Sequence, residues 1–573
     1  MPPEDPESRR DFLGGLFSSA GKVVSKRLGP VSKLASAATS TVPSQVSSES
    51  YLSLLRPPDS VRVFTSNDTY RLEALRGGLW VCDGARVKTI ISADRQRINL
   101  DAPGLEPTWI AIRWQADIVG VRRYLGDCWE RSYGDLEWRA ENPDRAMPWY
   151  YLAYDGKRTH GYGVVTRPSA FCFWTADRSG MTLWLDVRNG GSGVRLGDRE
   201  VELCEVISRE GREDENPFQA HQEFCRQMCP YPRLAPYPIY GTNDWYHLYG
   251  QNSAEQILEI SKIVAELAPN IANRPFSVID AGWTAGGTDQ GPYDQGTEKF
   301  GDMGAFASNL KDIGVRPGIW IRPLISGPDT PDHWRSQRDS KHLDPTHPEV
   351  SQYVMQMVYR MVNWGYELIK HDFSSFDITG RWGFEMGNSI TKDGWHFYDR
   401  SRTTAEIVND LYDLIRGAAG SAYIIGCNTF SHLSAGVFEL NRIGDDTSGK
   451  DWNRTRKMGV NTLAFRAAHE GTFYGADADV AAITEDHKGV QASEWLRLLS
   501  LSGTPLFVSI DPAALGPHEW SALRDAFAAA AEHQPVAEPI DWLNSVNPRK
   551  WRIQGQKVEF DWTTPDGSNP FAG

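Results

Sequence analysis

Leu368-Ile369-Lys370-His371-Asp372-Phe373 is a short apolar run that passes through a lysine and ends on a carboxylate. It reads as a buried strand with an aspartate just past its last paired residue. A second segment, Arg442-Ile443-Gly444-Asp445-Asp446-Thr447, repeats the arrangement further along the chain. Aspartate is common in strand-to-loop turns, so either segment alone carries little. Their shared context carries more.

That context is an alternation of strand and helix through the second half of the chain. Short apolar runs bounded by Gly, Pro, Asn or Asp predict strands at Tyr237–Trp245, Phe276–Trp283, Arg316–Pro323, Glu367–Phe373, Ala422–Thr429, Val437–Asp445, Thr472–Ala478 and Thr504–Asp511. Helical patterns lie between most of them. Ser253 with Gln256 forms a capping-box signature ahead of Ile257, Ile260, Val264 and Leu267. Pro348 suits a first helical turn, and Val354, Met357, Val358, Met361 and Val362 follow it as an apolar stripe. Eight such units predict a (β/α)8, or TIM, barrel, whose reacting groups collect at the C-terminal ends of the strands. Asp372 then ends the fourth strand and Asp446 the sixth. Asp244 and Trp245 end the first, Asp280 and Trp283 the second, and Arg322 stands on the third. A pair of aspartates at the ends of different strands is what glycoside hydrolysis needs, one at the sugar carbon and one at the leaving-group proton.

The rest of the chain sets the frame. At 573 residues it is too long for one domain. From Tyr51 to Gly211 short strand-like runs such as Thr108–Gln115, Trp149–Tyr154, Tyr162–Thr166, Ala170–Thr175 and Met181–Val187 follow one another without a helical pattern, which predicts a β-sandwich. The expected organisation is a multidomain α/β plus β protein. It comprises a basic N-terminal segment (1–50), a β-sandwich (51–211), a linker helix (212–235), the barrel (236–532) and a short C-terminal β segment (533–573). A net charge of −14 disfavours nucleic acid or an anionic membrane as partner. The 13 histidines show no metalloprotease-type pattern, so no catalytic metal and no cofactor are expected. Seven scattered cysteines make neither a zinc spacing nor a disulfide framework, and read mostly as reduced core residues; only Cys225 and Cys229, one helical turn apart, hint at metal. Ser8-Arg9-Arg10-Asp11-Phe12-Leu13 matches a twin-arginine export signal, with export to the periplasm as one expectation. Lys22, Lys26, Arg27 and Lys33 interrupt the apolar stretch that should follow, and a basic tail on a cytoplasmic protein is the other.

The order of these parts resembles the glycoside hydrolase clan of the α-galactosidases, families 27 and 36, and is more similar to family 36. Lys370-His371-Asp372 resembles the family's Lys-x-Asp nucleophile motif, and Arg442 to Asp446 its Arg-x-x-x-Asp acid/base motif. Asp280-Ala281-Gly282-Trp283 resembles the Asp-Asp-Gly-Trp binding turn, Gly318-Ile319-Trp320 a strand motif, and Asp477-Ala478-Asp479 an Asp-Pro-Asp stretch. The resemblance implies retaining hydrolysis, with Asp372 as nucleophile and Asp446 as acid and then base. Lys370 keeps Asp372 ionised, Asp445 and Asp451 raise the pKa of Asp446, and Arg442 binds the sugar. Adjacent residues of a strand face opposite ways, so only one of Asp445 and Asp446 points inward, and the motif spacing selects Asp446. Trp283, Trp320 and Trp452 are candidates for a stacking wall, with core packing equally open for Trp320. Arg322 is expected either to meet an acidic sugar or to pair with Asp280. Trp129, Trp138 and Trp149 are expected in the sandwich core, and His371 in a packing role. Ala281 replaces the second aspartate of the family's turn, which puts strict galactose specificity in doubt, with Asp244 as a substitute partner. The implied substrate is an oligosaccharide or glycoconjugate, with a homo-oligomer possible. Two other readings remain open at this level: a glycosyl transferase of the raffinose-synthase kind, and a non-catalytic sugar-binding protein.

Overall fold

The computed structural model describes residues 50–269 and 271–570. The twin-arginine segment lies outside them. Two antiparallel sheets come first, of six and eight strands, between Ser60–Phe64 and Val201–Arg209. The expected runs recur as Trp109–Gln115, Tyr150–Tyr154, Thr159–Val164, Phe171–Asp177 and Gly180–Asp186. The strand Ala85–Ile91 alternates buried and exposed positions along most of its length, the pattern of a sheet with one face on the core. Phe171–Asp177 is buried almost throughout, so both of its faces are covered. Trp129, Trp138 and Trp149 are all buried. Helix α1 (Pro217–Met228) then leads towards the second half; Asn216 and Gln219 form a reciprocal capping box at its start.

The second half is a parallel sheet of nine segments: β1 (Tyr240–Asn243), β2 (Phe276–Ile279), β3 (Arg316–Ile321), β4 (Leu368–His371), β5 (Tyr423–Gly426), β6 (Leu440–Arg442), β7 (Gly475–Asp477), β8 (Val480–Ile483) and β9 (Leu506–Ile510). Their order is β7-β6-β5-β4-β3-β2-β1-β9-β8. The two ends of that order, β7 and β8, are consecutive in the chain with only Ala478 and Asp479 between them, so the sheet curls until its ends meet. Asp479 makes the break with φ at 70°, the left-handed region. A separate apolar cluster inside the curl follows from the same geometry. Val278, Leu368, Ile425, Leu440, Val480 and Phe507 touch one another although they come from six different segments.

All eight expected strands are present and shorter than the apolar runs suggested, because the runs continue into the loops that carry the polar residues. Five helices flank the sheet over the regions considered below: α2 (Ala254–Leu267), α3 (Met303–Ile313), α4 (Pro348–Asn363), α5 (Thr404–Ala418) and α6 (Val490–Leu501). The α4 stripe is buried as expected at Val354, Met357, Val358 and Met361. At α2 only half of the expected box forms: Ser253 accepts from the Gln256 amide, while the Gln256 side chain accepts from the Ser253 hydroxyl instead of its backbone. Three short strands, Glu538–Pro539, Lys550–Ile553 and Gln556–Glu559, close the described chain. No helix among the described residues is long and apolar enough to cross a membrane.

Candidate active site

Strand alternation decides what faces the inside of the curl. Leu368 belongs to the inner cluster, so Lys370 and then Asp372 follow on its face. His371 points outward between Tyr412 and Phe438, in the packing role expected of it. Asp372 is 3% exposed. Its Oδ2 accepts from the Trp320 indole at 3.0 Å and its Oδ1 from the Phe373 amide at 2.8 Å. Phe373 holds φ at 65°, a strained conformation for a bulky residue, and the Arg322 guanidinium lies 4.1 Å from its ring centroid.

Lys370 interacts electrostatically with Asp372 and also makes a direct ion pair on the neighbouring strand end. Its ammonium donates to Asp280 Oδ2 at 2.6 Å, where Asn243 also donates at 2.9 Å. Burial works against the lysine's charge, but the Asp280 carboxylate outweighs it and holds the pKa above the ordinary lysine value. Asp280 is thus the ion partner of Lys370 and not of Arg322. The Arg322 side chain is instead fully engaged: it grips Asp377 with two bonds at 3.0 and 2.6 Å and donates to the Thr288 carbonyl at 2.7 Å. Burial opposes the charge of Asp377, and Arg322 with His342 overcomes it, taking the carboxyl down to about 2. A strand-end arginine with a carboxylate this close is a structural brace for the β3 loop.

At the first strand end Asp244 Oδ1 accepts from the Asp280 amide at 2.7 Å and Oδ2 from Asn252 at 2.8 Å. Burial and the neighbouring Asp280 charge push its pKa up to about 7. Gly282 follows Ala281 with φ at 114°, and a Cβ there would stand 2.4 Å from the Gly250 carbonyl, so the turn requires glycine.

The sixth strand end separates the two candidate acids. Asp445 is buried and bound by Arg131 and Arg454, each at 2.8 Å. The Asp446 side chain is 21% exposed, with Arg442 at 3.3 Å and Arg131 at 3.5 Å from the same oxygen, Oδ1. The Asp451 carboxylate caps the short helix Trp452–Thr455 by accepting from the Asn453 amide. Arg442 also pairs with Asp479 at 2.9 Å. Asp477, beside it, is pushed up to about 6 by burial, which the Arg442 charge only partly offsets. Below these groups lies a chamber of about 10 Å³ lined by Lys370, Arg442, Asp477 and Asn243, room for about one water. A larger cleft of about 490 Å³ opens elsewhere, beside His247, Asp511 and α2, and holds none of the strand-end carboxylates considered above.

The expected stacking wall is not available. Trp283 is fully buried, donating to the Trp320 carbonyl at 2.9 Å and packing edge-on against Trp364. Trp320 is 1% exposed and serves Asp372 through its N–H. Trp452 is half-buried and tied by its indole to the Trp562 carbonyl at 3.0 Å. Trp245 is half-buried against Tyr249. Sequence reasoning missed Asn243, Arg131 and Cys427, whose sulfur accepts from Arg442 at 3.7 Å. Asn243 and Cys427 stand beside strand ends, where position alone is a signal. Arg131 belongs to the antiparallel region and no spacing announces it.

The chain therefore shares its fold with glycoside hydrolases. More narrowly, α-galactosidases are among the solved structures it resembles. TtGalA, the α-galactosidase from Thermus thermophilus in complex with p-nitrophenyl α-D-galactopyranoside, superposes with a TM-score of 0.57 at 16% identity, covering 87% of this chain and 99% of that one. The GH36 α-galactosidase AgaA from Geobacillus stearothermophilus gives 0.53 at 14% identity over 83% and 75% of the two chains. AgaB from the same organism gives 0.53 at 13% identity over 83% and 75%. No known protein-family profile matches the chain, and no curated protein matches it by sequence.

Proposed function

We propose that the chain is a retaining α-glycosidase of the α-galactosidase type. The parallel sheet is read as a (β/α)8 barrel whose seventh strand is broken at Asp479, and the two antiparallel sheets as a β-sandwich. Asp372 attacks the anomeric carbon and forms a glycosyl ester; Asp446 protonates the departing oxygen and then takes a proton from water. The observation that supports these roles best is the contrast at Asp445 and Asp446. The first is sealed by two arginines, while the side chain of the second is partly exposed. A proton donor must reach solvent and leaving group, and Asp446 is the more exposed of the two.

The binding turn offers one carboxylate, Asp280, already held by Lys370 and Asn243, and a buried methyl at Ala281. A sugar hydroxyl recognised elsewhere by a second aspartate finds a different partner here, so the specificity is for a terminal α-linked sugar not restricted to galactose. The test is hydrolysis of a panel of aryl α-glycosides, the α-galactoside first, by the wild type and Asp372→Asn. Cleavage of one member, lost in the variant, supports the reading and names the sugar. Activity that survives in Asp372→Asn refutes the mechanism.

A further inference from the structure

The loop that runs from β3 to α4 gathers two imidazoles and a carboxylate that the glycosidase reading does not use. His333 sits on a single 3-10 turn, Asp332–Trp334; His347 immediately precedes α4, and Glu349 is that helix's second residue. One donor atom from each lies within 4.8 Å of the other two. The two imidazole centroids are 5.0 Å apart, and His333 Nε2 stands 3.4 Å from Glu349 Oε2. The Trp334 indole donates to that same oxygen at 2.8 Å and so fixes the carboxylate's direction. His347 is 8% exposed, and its Nδ1 is buried without a hydrogen-bond partner among the described residues. A buried polar atom left unpaired costs free energy and asks for an explanation.

We propose that His333, His347 and Glu349 bind a divalent transition-metal ion of the zinc type, clasping the β3–α4 loop to the start of α4. Two imidazoles with one carboxylate suit zinc and its borderline neighbours, whereas calcium and magnesium prefer all-oxygen sites. The Trp334 bond is the kind of outer support that orients a ligating carboxylate. His333 and Glu349 are more than half exposed, so the ion has an open approach from solvent. The negative Glu349 in the first helical turn offsets the unfavourable placement of a cation near the positive helix end. The clasped loop begins at Arg322 and contains His342, which contacts Asp377 at 3.2 Å. It thus frames the rim beside Asp372. A second cluster, His221, Cys225 and His469, is closed to this role: the Tyr150 hydroxyl already bonds both imidazoles, at 2.7 and 2.9 Å, and all three residues are fully buried.

The test is isothermal titration of zinc chloride into the metal-stripped full chain without an affinity tag, with magnesium as control. One saturable site per chain is expected for zinc and none for magnesium. His333→Ala and Glu349→Gln should each weaken zinc binding by about tenfold or more. Zinc should raise the melting temperature of the wild type and not that of His333→Ala, whose exposed side chain is not needed for folding. Absence of saturable zinc binding, or an affinity unchanged in both variants, overturns the proposal. Because the readout is binding, it stands apart from whether any glycoside is cleaved.

Discussion

Arg131 and Arg454 close on Asp445 from two sides, while Asp446, one residue further, meets Arg442 and Arg131 through a single oxygen. Removing either carboxylate therefore has a different consequence. Asp445→Ala takes the nearest carboxylate from the buried Arg131 and the half-buried Arg454 and should lower stability by about 3–5 kcal/mol, read from the urea midpoint. Asp446→Ala should leave stability close to wild type and lower activity selectively. Aryl glycosides with acidic leaving groups should lose little in the first step and alkyl glycosides at least about a hundredfold, the usual contribution of general acid catalysis. The reverse pattern would exchange the two roles. Asp244 carries a prediction in pH. Its folded pKa, pushed up to about 7, lies above that of an unfolded aspartate at about 3.9. Between those values the folded state holds a proton that the unfolded state has released, so stability falls as the pH rises through the window and levels above it. Asp244→Asn removes this contribution. The difference in urea midpoint, variant minus wild type, should grow from pH 4 to pH 8, and a constant difference would show that Asp244 titrates normally.

The loop after β6 owes its shape to a segment that lies far from it in sequence. Ser132 pairs with Gly444 as a parallel bridge, its amide donating to the Ile443 carbonyl at 2.9 Å and its carbonyl accepting from the Asp445 amide at 2.8 Å. Gly444 permits the approach, since a Cβ there would lie 2.6 Å from the Met458 carbonyl. Arg131, next to the bridge, then reaches both aspartates. Arg131→Met should cost about 3–5 kcal/mol of stability, because a buried carboxylate and its half-buried neighbour lose a shared cation. Adding Asp445→Asn to it should recover part of the loss. An additive double-mutant cycle in denaturant unfolding would refute the coupling. This junction also marks how far the sequence could be read. Strand ends were legible because apolar runs stop at polar residues, which located Asp244, Asp280, Lys370, Asp372, Arg442 and Asp446 on one rim. Partners across that rim were not legible. Nothing in the order of residues tells that Lys370 selects Asp280 and Arg322 selects Asp377, since the first choice depends on how neighbouring strands are staggered and the second on where the short helix Ser374–Thr379 sets its aspartate. For the tryptophans the core alternative prevailed: Trp320, for which packing was equally open, and Trp283, a stacking candidate, are both buried, and their N–H groups do the polar work. Arg131 was hidden altogether, because loop insertion from another region leaves no periodic signal.

The antiparallel region and the parallel sheet share buried polar links as well as apolar packing, and this bears on how the molecule unfolds. Arg466 donates to Asp127 at 2.7 Å with both side chains almost fully buried, and also to the Ile443 carbonyl at 3.0 Å. Burial disfavours the charge on both partners: Asp127 still holds the Arg466 pKa above its ordinary value, while burial, only partly offset by Arg466, keeps the Asp127 carboxyl above its own. Glu130, from the same antiparallel segment, accepts from Asn428 at 2.6 Å and from the Gly383 amide at 2.7 Å. If either region unfolded while the other persisted, these buried polar groups would lose their partners inside a remaining core, a loss that costs free energy at each of them. The two regions should therefore unfold together. Calorimetry on the full chain should show one transition whose van't Hoff and calorimetric enthalpies agree, and Arg466→Met should lower its temperature without splitting it. Were the regions independent, the trace would separate into two transitions and Arg466→Met would move only one. The same coupling makes a fragment beginning near Pro217 a poor vehicle for the proposed chemistry. It would lack Arg131 and Ser132 and so the support on which the Asp445–Asp446 loop rests. Such a fragment should bind no substrate analogue that the full chain binds, and full binding by the fragment would show that the antiparallel region is dispensable to the site.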